Sequence, residues 1–177
     1  MAAALAQHAM RCADKAQMAD HVASATLKIL EQPAVRDFLA TARVGSLATA
    51  DTDAAPHAIP LCFWFEDARF YFVIDQKPKR HTGLALKRMR NIIANPHVAL
   101  LVDHYEDDWN HLAYVLIHGA ARVVEESEEY LFALRKLREK YPQYRNMTLA
   151  PADNPVVRID AERVHAWGRR FATAPAS

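Results

Sequence analysis

Glycine is scarce in this chain, with four among 177 residues. So little glycine cannot build a glycine-rich phosphate cradle, and neither a GxGxxG string nor a Walker lysine loop occurs. Any phosphate must be held by side chains. Cysteine is scarcer still: Cys12 and Cys62 stand far apart and make no disulfide framework, which points to a reducing, cytoplasmic setting. No run of eighteen apolar residues occurs, so no membrane span is expected. The alanine-rich start, Met1 to Met10, lacks a cationic lead-in and a clear cleavage site, so no signal peptide is expected. Charge of neither sign dominates. The 22 basic residues stand against 21 acidic ones, which gives no general case for nucleic acid. Ser46 and Ser127 lack the spaced glycines of a nucleophile elbow, and no catalytic residue can be named.

What is present reads as one domain with appendages: a helical arm over 1–32, a domain over 33–170 and a tail over 171–177. Residues 5–30 are alanine-dense and unbroken by Gly or Pro, which predicts a helix that packs on the domain or on a partner subunit. Pro33 suits the first turn of a short helix ending near Ala42. Val44 to Ala50 reads as a strand, followed by a polar turn at Asp51 to Asp53. Pro56 to Phe65 reads as one strand. His57, Ile59, Leu61, Phe63 and Phe65 share one face, with Ala58, Pro60, Cys62 and Trp64 on the other. Both faces are apolar, as in a strand covered on both sides, and Pro60 implies an edge, a bulge or a ligand close to the backbone.

Phe70 to Ile74 is a further strand. Leu84 to Ala94 reads as a helix with Leu84, Met89 and Ile92 or Ile93 inward and Lys87, Arg88 and Arg90 outward. Val98 to Val102 and Leu112 to Val124 are strands, the second bent at Gly119. Ser127 caps a helix that ends in cations near Lys140. Val156 to Ile159 and Val164 to Trp167 read as two final strands. The sum is a mainly β, α+β pattern with six or seven strands.

Two clusters bear on chemistry. Lys77, Lys79, Arg80, Lys87, Arg88 and Arg90 place six cations between residues 76 and 90. They suit either a solvated basic face or a phosphate site, where ammonium and guanidinium groups donate charge-assisted hydrogen bonds. The second cluster, from Asp103 to His111, holds carboxylates and imidazoles, but its spacing fits no metal motif and no metal is expected.

The strings Arg43-Val44-Gly45-Ser46-Leu47-Ala48-Thr49-Ala50-Asp51 and Pro56-His57-Ala58-Ile59-Pro60 resemble the opening of the pyridoxamine 5'-phosphate oxidase-like family. So do Arg88-x-x-Asn91 and Ala94-Asn95-Pro96-His97-Val98-Ala99-Leu100-Leu101. Lys77-Pro78-Lys79 and the run from Leu101 to Trp109 look closest to its deazaflavin-dependent (coenzyme F-420) oxidoreductases. The resemblance covers residues 34–168 and implies an antiparallel split β-barrel, a homodimer with cofactor sites at the subunit interface, and a flavin-type cofactor.

By that resemblance His57, Ala58, Ile59, Pro60 and Leu61 line the ring through their backbone. Val73 and Ile74 lie beside the ribityl chain. Lys87 and Arg88 bind the phosphate, aided by Lys77, Pro78 and Lys79. Trp167 reaches the cofactor from the other subunit. The implied function is hydride transfer between FMN and a small organic substrate, with the deazaflavin coenzyme as the alternative cofactor. A further alternative is a non-catalytic flavin or haem carrier, haem needing His104, His111 or His118 as axial ligand. The Arg-x-His ending of a true pyridoxamine 5'-phosphate oxidase is missing, so the vitamin B6 reaction is not expected. Where Ala54 or Ala55 stands the subgroup often has Gly, so the turn there is expected to differ in shape.

Overall fold

The structure is a computed structural model and describes residues 28–75 and 83–172. Pro33 opens α1 (Pro33–Thr41) at its first turn, where a missing N–H costs nothing. β1 (Gly45–Ala50) and β2 (Pro56–Leu61) form one hairpin, and β3 (Trp64–Glu66) and β4 (Arg69–Val73) a second. Next come α2 (Lys87–Ala94), β5 (His97–His104), β6 (Ala113–Val124), α3 (Glu128–Lys140) and β7 (Val156–Gly168). Of the expected N-terminal helix only residues 28–31 are described, and they are helical.

The seven strands form one antiparallel sheet in the order β2-β1-β5-β6-β7-β4-β3. β2 and β3 stand at its opposite ends, yet only Cys62 and Phe63 separate them in the chain. Three extended steps span at most about 11 Å. The sheet therefore curls until its ends meet, which makes a barrel with a seam: the mainly β, split-barrel fold with flanking helices that the sequence implies.

Strict alternation fills the interior. Leu47, Leu100, Val115 and Ile117 are wholly buried, and Val35, Phe38 and Leu39 of α1 join them. Each such side chain contributes about 1.5–3 kcal/mol relative to exposure. A second cluster lies outside the sheet, where α3 sets Tyr130, Ala133, Leu134 and Leu137 against Tyr71, Val73 and Val156. Ser127 caps α3 by accepting the N–H of Tyr130, as its sequence position predicts. Glu129 then holds the helix to the sheet, accepting from Tyr71, Arg122 and Arg158.

Three elements differ from expectation. Pro56 to Phe65 is two strands, because the chain turns at Cys62-Phe63. There the Tyr141 hydroxyl accepts the Phe63 N–H at 3.0 Å and donates to the Phe63 carbonyl at 2.8 Å. Conversely, β7 is one strand of 13 residues rather than two. His118 pairs with Arg163 and Gly119 with Ala161, so Glu162 bulges out without ending the ladder. α2 starts at Lys87 rather than Leu84, with Leu86, Met89 and Ile92 inward and Leu84 and Ile93 exposed.

The β1–β2 turn keeps a left-handed residue without glycine. Ala54 sits at φ 60°. Asp51 holds it there, its carboxylate accepting from Asp53 and Ala55 and its carbonyl from Ala54. Left-handed backbone costs a β-carbon roughly 1–2 kcal/mol, partly offset by the greater unfolded-state entropy of glycine. Ala54→Gly is therefore expected to stabilise the fold by about 0.5–1 kcal/mol, read from the urea midpoint at unchanged m-value.

Candidate functional site

α2 brings the expected cation site to the barrel. Its Asn91, a buried polar residue, donates to the Thr49 hydroxyl at 3.0 Å, and that hydroxyl donates to the His57 carbonyl at 3.3 Å. A buried amide left unpaired costs about 1–3 kcal/mol, so this chain of bonds sets where α2 lies on β1 and β2. Lys87 in the first turn pairs with Asp51 at 3.0 Å. That contact, more than any other, holds the Asp51 carboxyl below its ordinary range. Lys87 is thus engaged with the β1–β2 turn.

Arg88 behaves differently from its neighbours. The sequence places it outward with Lys87 and Arg90, but it is half-buried. Burial lowers its pKa, and the nearby charge of Asp75 acts in the opposite sense. Its guanidinium makes no hydrogen bond or ion pair with a described residue, so its donors remain available for an anion. Asp75 is itself buried at the exit of β4, where it accepts from the Tyr144 hydroxyl at 3.2 Å. That hydroxyl's pKa is raised, first by burial and then by Cys62 and Asp75. Ile74 is pinned alongside: its N–H donates to Pro155 and its carbonyl accepts from Asn154. α2 therefore links the ends of β1 and β2 to the exit of β4, which brings His57, Val73, Ile74, Lys87 and Arg88 to one region.

β2 turns His57, Ile59 and Leu61 toward the barrel and Ala58 and Pro60 outward. The outward face is open in the single chain, contrary to the expectation of cover on both sides. Register extends it across the sheet. Ala58, Ala48, Ala99 and His118 form one cross-strand row, and Pro60, Ser46, Leu101 and Leu116 the next. With Ala58, Ala48, Ala99, Pro60, Leu101 and Leu116 among its eight residues, this face is a largely apolar platform.

Trp167 does not join this region within one chain. Val73 pairs with Val156 at the start of β7, and Trp167 lies eleven residues further along that strand. At about 3.3 Å per residue the separation is about 35 Å along the strand. Trp167 is half-exposed and stacks on Tyr114 with ring centres 5.6 Å apart. Lys77, Pro78 and Lys79 lie outside the described residues, as does Arg80.

The acidic loop makes its own pairs. Glu106 accepts from His111 and His104, and the bond to His111 is the main cause of its lowered pKa. Among the described residues no group of three or more His, Cys, Asp or Glu is placed to hold a metal ion. Nor is any described helix long and apolar enough to cross a membrane.

Reading the sequence missed Asp75, Thr49 and Tyr144. Asn91 carried a signal, since it follows Arg88 by three residues and so shares a neighbouring helix face.

A seven-stranded antiparallel barrel with a cation-bearing helix at one end defines the split-barrel class. Residues 31–168 match the sequence profile of pyridoxamine 5'-phosphate oxidase, and the chain belongs to that family. Solved structures agree in fold. A conserved hypothetical protein from Mycobacterium tuberculosis is 24% identical with a TM-score of 0.64, covering 83% of this chain and 91% of its own. HutZ, the haem storage protein from Vibrio cholerae, is 17% identical with a TM-score of 0.61, covering 78% and 97%. An FAD-binding protein from Mesorhizobium loti is 21% identical with a TM-score of 0.55, covering 74% and 89%. No curated protein matches.

Proposed function

We propose that the chain is a flavin-dependent oxidoreductase that moves hydride between an FMN-type cofactor and a small organic substrate. The observation that carries this reading is Arg88, a half-buried guanidinium that makes no hydrogen bond or ion pair with another described residue. A cation in that setting gains more from a phosphate than an exposed one, because charge-assisted bonds strengthen as water is removed. Arg88 would hold the phosphate, with Lys87 and the Lys77-Pro78-Lys79 loop beside it. Val73 and Ile74 would flank the ribityl chain. The backbone of His57 to Leu61 would line the ring, and the small side chains of Ala58, Ala48 and Ala99 leave room for a flat group. The redox chemistry would belong to the cofactor, while these residues bind, orient and exclude water.

A second copy of the chain completes the reading. The platform is apolar and uncovered, and Trp167 lies too far along β7 to reach its own chain's Arg88 region. A two-fold dimer that seats one platform against another would bring a partner's tryptophan to the ring. The deazaflavin coenzyme remains the alternative ligand of the same site. Haem storage is the rival from another class. It has a specific observation in its favour, since His118 lies on the platform row and HutZ shares the fold.

The test is a titration of the full chain with FMN and with riboflavin, beside an Arg88→Ala variant. Loss of a charge-assisted pair costs about 1.5–3 kcal/mol, so FMN affinity is expected to fall roughly 10–100-fold while riboflavin affinity stays within about two-fold. Equal weakening of both would remove the phosphate role. An absorption spectrum dominated by a Soret band after haem addition, with no flavin uptake, would favour the storage reading.

A further inference from the structure

A groove of about 500 Å³ lies between α1, β3 and α3, and Lys140 lines it from the end of α3. The ammonium of Lys140 donates to the Leu39 carbonyl at 3.0 Å. It sits 4.1 Å from the centre of the Phe63 ring and 5.6 Å from that of Tyr141. No described carboxylate pairs with it. Glu139, its neighbour, pairs with Lys136 instead. The charged groups that line the groove with Lys140 are Arg36 and Asp37 of α1 and Glu66 of β3, with Lys136 and Glu139 beside it on α3. From behind, Arg43 donates to its backbone carbonyl, and the Cys62 thiol lies close enough to act on its charge.

We propose that Lys140 is a covalent acceptor for small aldehydes that enter this groove. A lysine becomes a nucleophile when it is held in an apolar setting without a counter-ion and remains reachable. Lys140 meets each condition, while Lys136 on the same wall is paired. Burial, aided by Arg43, brings the Lys140 amine down to about 8, so near that pH half of it is unprotonated. An exposed lysine at its usual value of about 10.4 is unprotonated to under 1% at that pH.

The step is a simple condensation. The amine nitrogen adds to the carbonyl carbon and the carbonyl oxygen takes a proton. The carbinolamine then loses water to give an imine, with no change of oxidation state overall. A protonated imine remains a cation with one N–H, so it keeps both the Leu39 carbonyl and the aromatic faces. Acylation would forfeit that stabilisation by removing the charge. Arg88 and the platform play no part in this site, so the inference is independent of the flavin reading.

The experiment treats the folded full chain with acetaldehyde, reduces with borohydride, and maps ethylated lysines by peptide mass. Seven lysines compete: Lys15, Lys28, Lys77, Lys79, Lys87, Lys136 and Lys140. At pH 8 Lys140 is expected to carry at least about ten-fold more label than Lys136, with a labelling rate that is half-maximal near pH 8. Lys140→Arg, checked for native circular dichroism, should lose the dominant label. Lys136→Arg should leave it in place. Even labelling across the seven, or a Lys140 less modified than Lys136, would overturn the assignment.

Discussion

Gly119→Ala is expected to lower the melting temperature by about 10 °C, since the cost is about 3 kcal/mol or more and a domain of this size loses roughly 2–4 °C per kcal/mol. A β-carbon at Gly119 would stand 2.2 Å from the Asp160 carbonyl oxygen and 3.0 Å from its carbon. Both are backbone atoms of the neighbouring strand, so no side chain can swing aside. Relief requires β6 and β7 to part where Glu162 bulges, in the middle of their ladder. Gly45→Ala is the control. Its β-carbon would first meet a methyl of Leu100 at 3.0 Å, the end of a side chain that can adjust. A thermal scan showing equal losses for the two variants would mean that the bulge tolerates a wider spacing than its register indicates.

Tyr141→Phe is expected to cost about 3 kcal/mol, measured by urea unfolding. The hydroxyl serves both backbone groups of Phe63, and Tyr141 is only 1% exposed. Its loss leaves a donor and an acceptor unpaired where water cannot readily enter, and each costs about 1–3 kcal/mol. The ring survives in the variant, so Arg43 and Lys140 keep the aromatic face they rest on. Tyr130→Phe removes a hydroxyl that, among the described residues, serves the Asn154 carbonyl alone, and should cost about 1 kcal/mol. Similar losses for the two variants would show that the Cys62-Phe63 turn does not depend on its brace.

Alternation made most strands legible from sequence, and the exceptions have local causes. β7 reads as two strands because its inward phase flips, from Val157 and Ile159 to Val164 and Ala166, across the Glu162 bulge. The break after Leu61 leaves no mark in sequence because its brace, Tyr141, lies 78 residues from Phe63. At the candidate site, the cations legible in the sequence lie close together along the chain, while Asp75, Thr49 and Tyr144 left no mark there. Lys87, Arg88 and Asn91 belong to one short helix. Asp75, whose charge reaches Arg88, meets Tyr144 only when β4 and the segment after α3 come together. Helical periodicity alone puts Arg88 with its charged neighbours, and only the surrounding fold buries it.

The two-residue link between β2 and β3 also bears on self-association. An unpaired strand edge invites strand addition by another molecule. Here the two outermost strands are drawn toward each other across the seam, and β2 carries Pro56 and Pro60, which have no N–H to offer an incoming backbone. The covalent closure that completes the barrel thereby discourages edge-to-edge polymerisation, the hazard of any sheet left open.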